Sequence, residues 1–259
     1  MRAPVPRGTM ARMKAIVVAN WKMHPETAAA AKRLLEVTKR AAASCKGLTI
    51  IVAPPSIYLR EIAKARGKLA CAVQSARAEK EGAFTGAISL VQAKDARCAY
   101  ALVGHAERRA AGETNEETSA QLQEALALGI SPILCVGERE RSADGRHFAT
   151  VKEQLRAAFA GVKSASIKKI IIAYEPVWAI GASTPMTPRD MHEMSIFIRK
   201  STVELLGPAA MDVRILYGGA IDATNARAML ADGDVHGLLV GRASADATAL
   251  KALLASIGA

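Results

Sequence analysis

The chain of 259 residues has no apolar run near the ~18 residues that a membrane-spanning helix needs, so we expect no membrane partner. Its first fourteen residues are basic, but they lack the apolar core of a secretion signal. We interpret residues 1–14 as a disordered leader, an alternative start region or an expression remnant, and leave them out of the fold prediction. No segment rich in proline, glycine or serine divides the rest, so we predict a single domain over residues 15–259.

Cysteine is scarce, and its spacing argues against a metal site. Cys45, Cys71, Cys98 and Cys135 are far apart, form no C-x-x-C pair and have no histidine at metal-ligand spacing. This pattern is typical of reduced, buried thiols in a cytoplasmic protein. We therefore predict no zinc and no other metal.

Aromatic residues are few, and dense basic runs are absent. The formal net charge of +11 fits an anionic small substrate, nucleic acid or solubility alone. The basic pairs are scattered along the chain, and only two tryptophans, four tyrosines and four phenylalanines could stack on bases. We favour solubility and general steering of anions, and expect no dedicated nucleic-acid site.

Eight apolar, β-rich runs recur along the chain, separated by stretches that are mostly helical. We predict strands at 15–20, 48–54, 69–74, 99–104, 131–137, 169–175, 213–219 and 235–241. Near-continuous apolar strands between helices indicate a parallel sheet buried on both faces. Eight repeats in about 245 residues predict an α/β fold, a closed (β/α)8 barrel with outer helices. An open doubly wound sheet is the alternative, but no glycine-rich phosphate turn follows the first strand.

Local signals predict some helix boundaries. Pro25 fits the first position of a helix that stops near Gly47. Thr187 and Pro188, with Asp190 in the first turn, predict a helix over 188–206. Further helices are predicted around 56–66, 115–128, 147–162, 222–231 and 245–257, and the segment 75–97 is expected to be longer and more loop-like.

Unusual residues close five of the predicted strands, at the ends where a parallel barrel carries its chemistry. They are Asn20-Trp21-Lys22, Gly104-His105, Glu175, Tyr217-Gly218-Gly219 and Gly241-Arg242. Glu175 ends one of the most apolar runs of the chain, and a buried charge is costly unless it is paired or used.

Together these residues could transfer a proton on a small phosphorylated carbonyl compound. Glu175 could remove a proton next to a carbonyl, while His105 and Lys22 stabilise the enolate oxygen. The glycines after strands seven and eight, with Gly181, leave N–H groups free for a phosphate. Each residue also has a structural alternative: His105 as a buried structural histidine, Lys22 as a surface charge, and Glu175 as the partner of an arginine.

Several longer stretches resemble the triosephosphate isomerase family. They are ANWKMH (19–24), EKEGAFTGAIS (79–89), LVGHAERR (102–109), ILCVGE (133–138), IIAYEPVWAIG (171–181) and ILYGGAI (215–221), in the family's order. The resemblance implies a TIM barrel without metal or organic cofactor that interconverts two triose phosphates in glycolysis and gluconeogenesis.

The resemblance also implies residue roles. Glu175 would shuttle the proton, His105 would polarise the carbonyl as a neutral imidazole, and Lys22 would stabilise negative charge. Asn20 would help to place the substrate, and Glu107 would lie behind, oriented toward Lys22. The implied phosphate contacts and neighbours are Gly181, Ala220, Gly241, Arg242 and Tyr217, under a lid formed by residues 176–186. Thr85 would reach into a neighbouring subunit's site, which implies a homodimer or a tetramer built from dimers.

Four departures from the family pattern stand out. Ala106 and Ala220 replace serines, and Arg242 replaces a glycine and is expected to point away from the phosphate. Residues 182–186 read ASTPM where the family typically has TGKTA, so we expect slower turnover than in relatives with the usual loop. These departures leave an alternative open, a catalytically weakened barrel that binds phosphorylated ligands in a regulatory role. Nucleic-acid binding driven by net charge is a third, weaker hypothesis.

Overall fold

Eight parallel strands close into a barrel in which each strand pairs with its neighbours in sequence and the last pairs with the first. This computed structural model describes residues 14–45, 47–180 and 185–258. The strands are β1 (Ala15–Asn20), β2 (Leu48–Ala53), β3 (Ala70–Val73), β4 (Tyr100–Val103), β5 (Ser131–Val136), β6 (Ile171–Tyr174), β7 (Arg214–Tyr217) and β8 (Gly237–Val240). The predicted α/β (β/α)8 barrel is confirmed.

Helices connect the strands and surround the barrel. They are α1 (Ala28–Ser44), α2 (Leu59–Ala65), α3 (Leu90–Asp95), α4 (Ala106–Ala110), α5 (Asn115–Ala127), α6 (Arg146–Phe159), α7 (Pro188–Leu206), α8 (Ala226–Asp232), α9 (Arg242–Ala245) and α10 (Ala247–Gly258). Short 3-10 helices cover Ser56–Tyr58, Ser164–Lys169, Val177–Ala179 and Pro208–Asp212. None of the described helices is both long and apolar enough to cross a membrane.

Two apolar layers hold the barrel together, because successive strand residues point to opposite faces of the sheet. In β1, Ile16 and Val18 belong to a compact inner cluster made of strand residues. Val17 and Ala19 belong to the larger cluster that includes the outer helices. A strand buried on both faces is apolar at nearly every position, which is why the strands read as continuous runs.

The predicted start of the first helix is wrong. Pro25 lies outside α1, which begins at Ala28. Thr27 caps the helix instead, since its side chain accepts a hydrogen bond from the backbone N–H of Ala30 at 3.2 Å. A capping hydroxyl closer to the apolar stripe therefore sets the boundary, and the proline belongs to the preceding loop.

Other helix and strand boundaries agree more closely with the prediction from the sequence. The helix α7 spans the predicted 188–206, with Thr187 as its cap and Asp190 in its first turn. Strand β6 is shorter than predicted, because a 3-10 helix occupies residues up to Lys169. The loop-like segment 75–97 contains the short helix α3, which Ser89 and Gln92 start with reciprocal capping hydrogen bonds.

Candidate active site

A cavity of about 770 Å³ opens where the strands end, and residues from five of them line it. Seven of the predicted site residues are among them: Asn20, Lys22, His105, Glu175, Ala220, Gly241 and Arg242. Glu107, Thr85 and Tyr217 do not line this cavity, and Gly181 and the rest of 181–184 lie outside the described residues. Residues that are far apart in the sequence therefore line the same cavity.

Lys22 is held at the cavity by its own backbone. It adopts a positive φ of 52°, uncommon for a residue with a side chain. Its N–H donates to Asn20 Oδ1 at 3.0 Å, and its carbonyl accepts from the amide of Gln74 at 2.8 Å. The ammonium group forms an ion pair with the exposed carboxylate of Glu107.

Glu175 and His105 are in direct contact inside the cavity. The carboxylate follows β6, and only 3% of Glu175 is exposed. Its Oε1 lies 3.1 Å from His105 Nε2, and its Oε2 accepts the N–H of Ala106 at 3.0 Å. The amide nitrogen of Asn20 lies 3.3 Å from the same Nε2. Glu175, the charge at the end of the apolar run, is thus paired with His105. No arginine among the described residues forms an ion pair with it.

The hydrogen bonds of His105 define its protonation state. Its Nδ1 accepts the N–H of Glu107 at 3.2 Å, in the first turn of α4. A backbone N–H can only donate, so Nδ1 carries no proton and the ring is neutral with its proton on Nε2. That proton faces Glu175. The imidazole is therefore set up as a hydrogen-bond donor to a carbonyl oxygen.

The electrostatic environment couples the two groups. Burial alone would raise the pKa of Glu175, but His105 and the Ala106 N–H lower it below its usual value. Burial alone would lower the pKa of His105, and the facing carboxylate outweighs this and raises it. The raised pKa favours the imidazolium, whereas the accepted hydrogen bond at Nδ1 forbids it. We therefore take the ring as neutral, because the Glu107 N–H can only donate and cannot accept a hydrogen bond from a proton on Nδ1.

Two glycines bring the backbone close to these side chains. A Cβ at Gly218 would lie 2.9 Å from Glu175 Cγ, and a Cβ at Gly241 would lie 3.1 Å from Lys22 Cε. Both contacts are tighter than ordinary carbon packing. The glycines therefore leave room for the Glu175 and Lys22 side chains and place backbone N–H groups without a side chain near the cavity.

A buried carboxylate holds the residues at the start of the segment that the resemblance predicts to be a lid. Glu138 is 1% exposed, and its carboxylate accepts the Tyr174 hydroxyl at 2.8 Å and the Trp178 indole N–H at 2.8 Å. Its place in the stretch ILCVGE predicted no role for it. Tyr217 is also buried, and its hydroxyl faces the N–H of Met186 without meeting hydrogen-bond geometry.

The charge of the chain is not concentrated at this cavity. The described lining residues include the cationic Lys22 and Arg242, but also the acidic Glu175, Asp222 and Asp246. No sequence motif marks the two aspartates as site residues. Attraction of an anion here depends on local N–H groups and individual cations more than on the net charge of +11.

The sequence pattern of the family described as Triosephosphate isomerase matches residues 15–257, nearly the whole chain. The chain belongs to the triosephosphate isomerase family. The relative from Roseiflexus sp. is 40% identical over 88% of this chain and 92% of its own length. Those from Pelobacter propionicus and Aquifex aeolicus are each 37% identical, over 88% and 90% of this chain and 93% and 96% of their own lengths.

Membership of the triosephosphate isomerase family makes the chain an isomerase, as the sequence predicted. A carboxylate base beside a neutral histidine is the established pairing in this family. Of the departures, Ala106 offers its N–H to Glu175 where the family's serine would add a hydroxyl. Arg242 is exposed at the cavity edge, and whether its side chain points away from a bound phosphate stays a prediction.

Proposed function

We propose that this chain interconverts dihydroxyacetone phosphate and D-glyceraldehyde 3-phosphate, with Glu175 as the group that moves the proton. The observation that carries the proposal is the contact between the Glu175 carboxylate and His105 Nε2, 3.1 Å apart in a cavity that Lys22 also lines. It pairs a buried base with a neutral hydrogen-bond donor, as enolisation requires.

The reaction divides into two proton transfers. The substrate separates Glu175 from His105, so that its carbonyl oxygen faces Nε2–H and the Lys22 ammonium. Glu175 takes a proton from the adjacent carbon, the C–H electron pair forms a carbon–carbon double bond, and the carbonyl electrons move to oxygen. Protonated Glu175 then returns the proton to the neighbouring carbon, while a proton moves between the two oxygens. No metal or organic cofactor enters this scheme.

The phosphate would be bound mainly by backbone. In this proposal the N–H groups of Gly181, Ala220, Gly241 and Arg242 face the phosphate, and Asn20 helps to place the substrate. Ala220 lacks a hydroxyl that the family's serine would offer to the closed lid. One such hydrogen bond contributes roughly 0.5–1.5 kcal/mol, or up to about tenfold in rate or affinity.

A homodimer is part of the proposal. Apolar side chains are exposed on successive loops at the cavity end of the barrel: Met23 at 89%, Ile57 at 82% and Phe84 at 40%. These loops follow β1, β2 and β3, which are adjacent strands, so the side chains lie on one side of the molecule. Thr85 is exposed beside Phe84 and would reach the partner's site. We expect the protein in the cytoplasm, where glycolysis and gluconeogenesis use this reaction.

The test is a coupled assay with D-glyceraldehyde 3-phosphate and no added metal. We expect activity in the wild type and a loss in kcat of about 10²- to 10⁴-fold in Glu175→Gln, the range of general-base catalysis. Glu36→Gln, the same change on the exposed face of α1, should leave kcat unaltered. Equal loss in both variants would contradict the assignment of Glu175. Phosphate binding without turnover would favour the regulatory alternative, which no described feature specifically supports.

A further inference from the structure

Cys71 and Cys98 form a buried pair of thiols that the isomerase reaction does not use. Cys71 lies in β3 and Cys98 two residues before β4. Their Sγ atoms are 4.0 Å apart, and the residues are 0% and 5% exposed. Among the described contacts no other pair of thiols approaches this closely.

The backbone holds the two cysteines side by side. The N–H of Ala99, the residue after Cys98, donates to the carbonyl of Cys71 at 3.0 Å. The N–H of Cys98 donates to the carbonyl of Ala93 at 3.0 Å, which fixes the other side of the turn. Residues one step apart on adjacent strands have Cα atoms roughly 6 Å apart. That separation lies in the range that disulfides span.

The two sulfur atoms need to move only a short distance to form a disulfide bond. A disulfide has its sulfur atoms about 2.05 Å apart. From 4.0 Å, each sulfur atom needs to move by about 1 Å, which small rotations about χ1 can supply. The backbones need not separate or unfold.

The surroundings make Cys98 the more reactive sulfur. The contact with the Cys71 sulfur, 4.0 Å away, and the positive charge of Arg66 lower the pKa of Cys98, although burial opposes this. The same contact and burial raise the pKa of Cys71. Cys98 also lies between the exposed residues Arg97 and Ala99 and is itself 5% exposed, whereas Cys71 is 0% exposed.

We propose that Cys71 and Cys98 are a peroxide-sensitive dithiol that oxidises to an intramolecular disulfide. Cys98 gives up its proton, its thiolate attacks one peroxide oxygen and the O–O bond breaks, so that Cys98 becomes a sulfenic acid and the departing hydroxide takes up the released proton to form water. The Cys71 sulfur then attacks the Cys98 sulfur, and the departing hydroxide takes the Cys71 proton to form a second water. Two thiols lose two electrons and the peroxide gains them.

The disulfide would stabilise the barrel without reaching its catalytic end. It closes the chain from 71 to 98, which includes helix α3 and the long loop before it, and so restricts the unfolded state. We expect the thermal midpoint to rise by roughly 3–10 °C. The pair lies at the start of its strands, opposite the cavity, so kcat should stay within about twofold.

The experiment treats the folded, full-length protein with hydrogen peroxide, blocks the remaining thiols by alkylation and digests with trypsin without reduction. We expect a protein two mass units lighter, titratable thiols falling from four to two, and one linked peptide joining 69–77 to 98–108. Reduction should restore the separate peptides. Cys45→Ser should keep the linked peptide, and Cys98→Ala should abolish it.

Three results would overturn the proposal. One is four alkylated thiols after treatment, which would make the pair inert. Another is sulfinic acid at Cys98 with no link to Cys71. The third is a linked peptide that forms only in urea, since it would show that the folded barrel does not bring the sulfur atoms together. None of these readouts depends on isomerase activity, so they are independent of the proposed reaction.

Discussion

Gly218→Ala should displace Glu175, the proposed base, while leaving the fold intact. A Cβ at this position would lie 2.9 Å from Glu175 Cγ and 3.3 Å from the Tyr174 carbonyl oxygen. The Gly218 backbone cannot retreat easily, because its N–H donates to that same carbonyl at 2.8 Å. Its φ lies outside the left-handed region, so alanine brings no backbone strain. The Glu175 side chain is the part that must move.

The geometry sets the size of the effect. Carbon atoms pack at about 3.5–4.0 Å, so Glu175 Cγ has to shift by at least about 0.5 Å. The carboxylate beyond it would move by a similar amount or more and lose its contacts to His105 and the Ala106 N–H, now 3.1 and 3.0 Å. A misplacement of 1 Å can cost about 10²-fold. We expect kcat to fall by roughly 10- to 100-fold, or about 1.4–2.7 kcal/mol.

The assay compares kcat, KM and the thermal midpoint of the wild type and Gly218→Ala. We expect KM within about threefold and a midpoint within a few degrees, since only one packing contact changes. The decisive control repeats the change in a Glu175→Gln background, where there is no base left to displace. There Gly218→Ala should have little further effect. A loss confined to KM, or the same fold-loss in both backgrounds, would refute displacement of the base.

Three further predictions follow from buried polar groups and from the charge at the cavity. Glu138→Ala leaves the donor groups of Tyr174 and Trp178 without their acceptor, so the free energy of unfolding measured in urea should fall by roughly 2–6 kcal/mol. Glu138→Gln keeps an acceptor oxygen and should lower the free energy of unfolding clearly less. Burial lowers the pKa of His236, so below pH 6.5 the unfolded chain binds more protons than the folded protein, and the free energy of unfolding should decrease as the pH decreases. His236→Asn should remove this part of the pH dependence, and an unchanged slope would contradict the prediction. Because the described cavity lining is not predominantly cationic, kcat/KM should change less than about threefold between about 10 and 150 mM salt; a steep decline would mean that long-range steering matters.

Much of the fold was predictable because burial on both faces of a parallel sheet leaves a plain signal. Runs such as 48–53 and 131–136 are apolar at nearly every position, since one side chain faces the barrel interior and the next faces the helices. The start of α7 was predictable because Thr187 and Pro188 act within one turn. The start of α1 was not, since proline and threonine both lie nearby and only the contact between Thr27 and Ala30 separates them.

The site was predictable in its residues more than in its contacts. Glu175, His105 and Lys22 are recognisable from their motifs and from their places after strands. Glu138 escaped notice, because a carboxylate two residues beyond a strand has the same pattern whether it faces solvent or lies buried against Tyr174. The two aspartates at the cavity edge gave no signal beyond an ordinary loop.

The sequence by itself determined the order of eight strands, the chemistry of the residues that follow them and the family to which the chain belongs. These depend on periodicity and on short motifs, which are local properties. Only the tertiary structure decided that His105 carries its proton on Nε2, that Glu175 rests against it, and that Cys71 and Cys98 face one another. Such contacts arise when the barrel closes and side chains settle into rotamers, and no local pattern encodes the distance between atoms tens of residues apart.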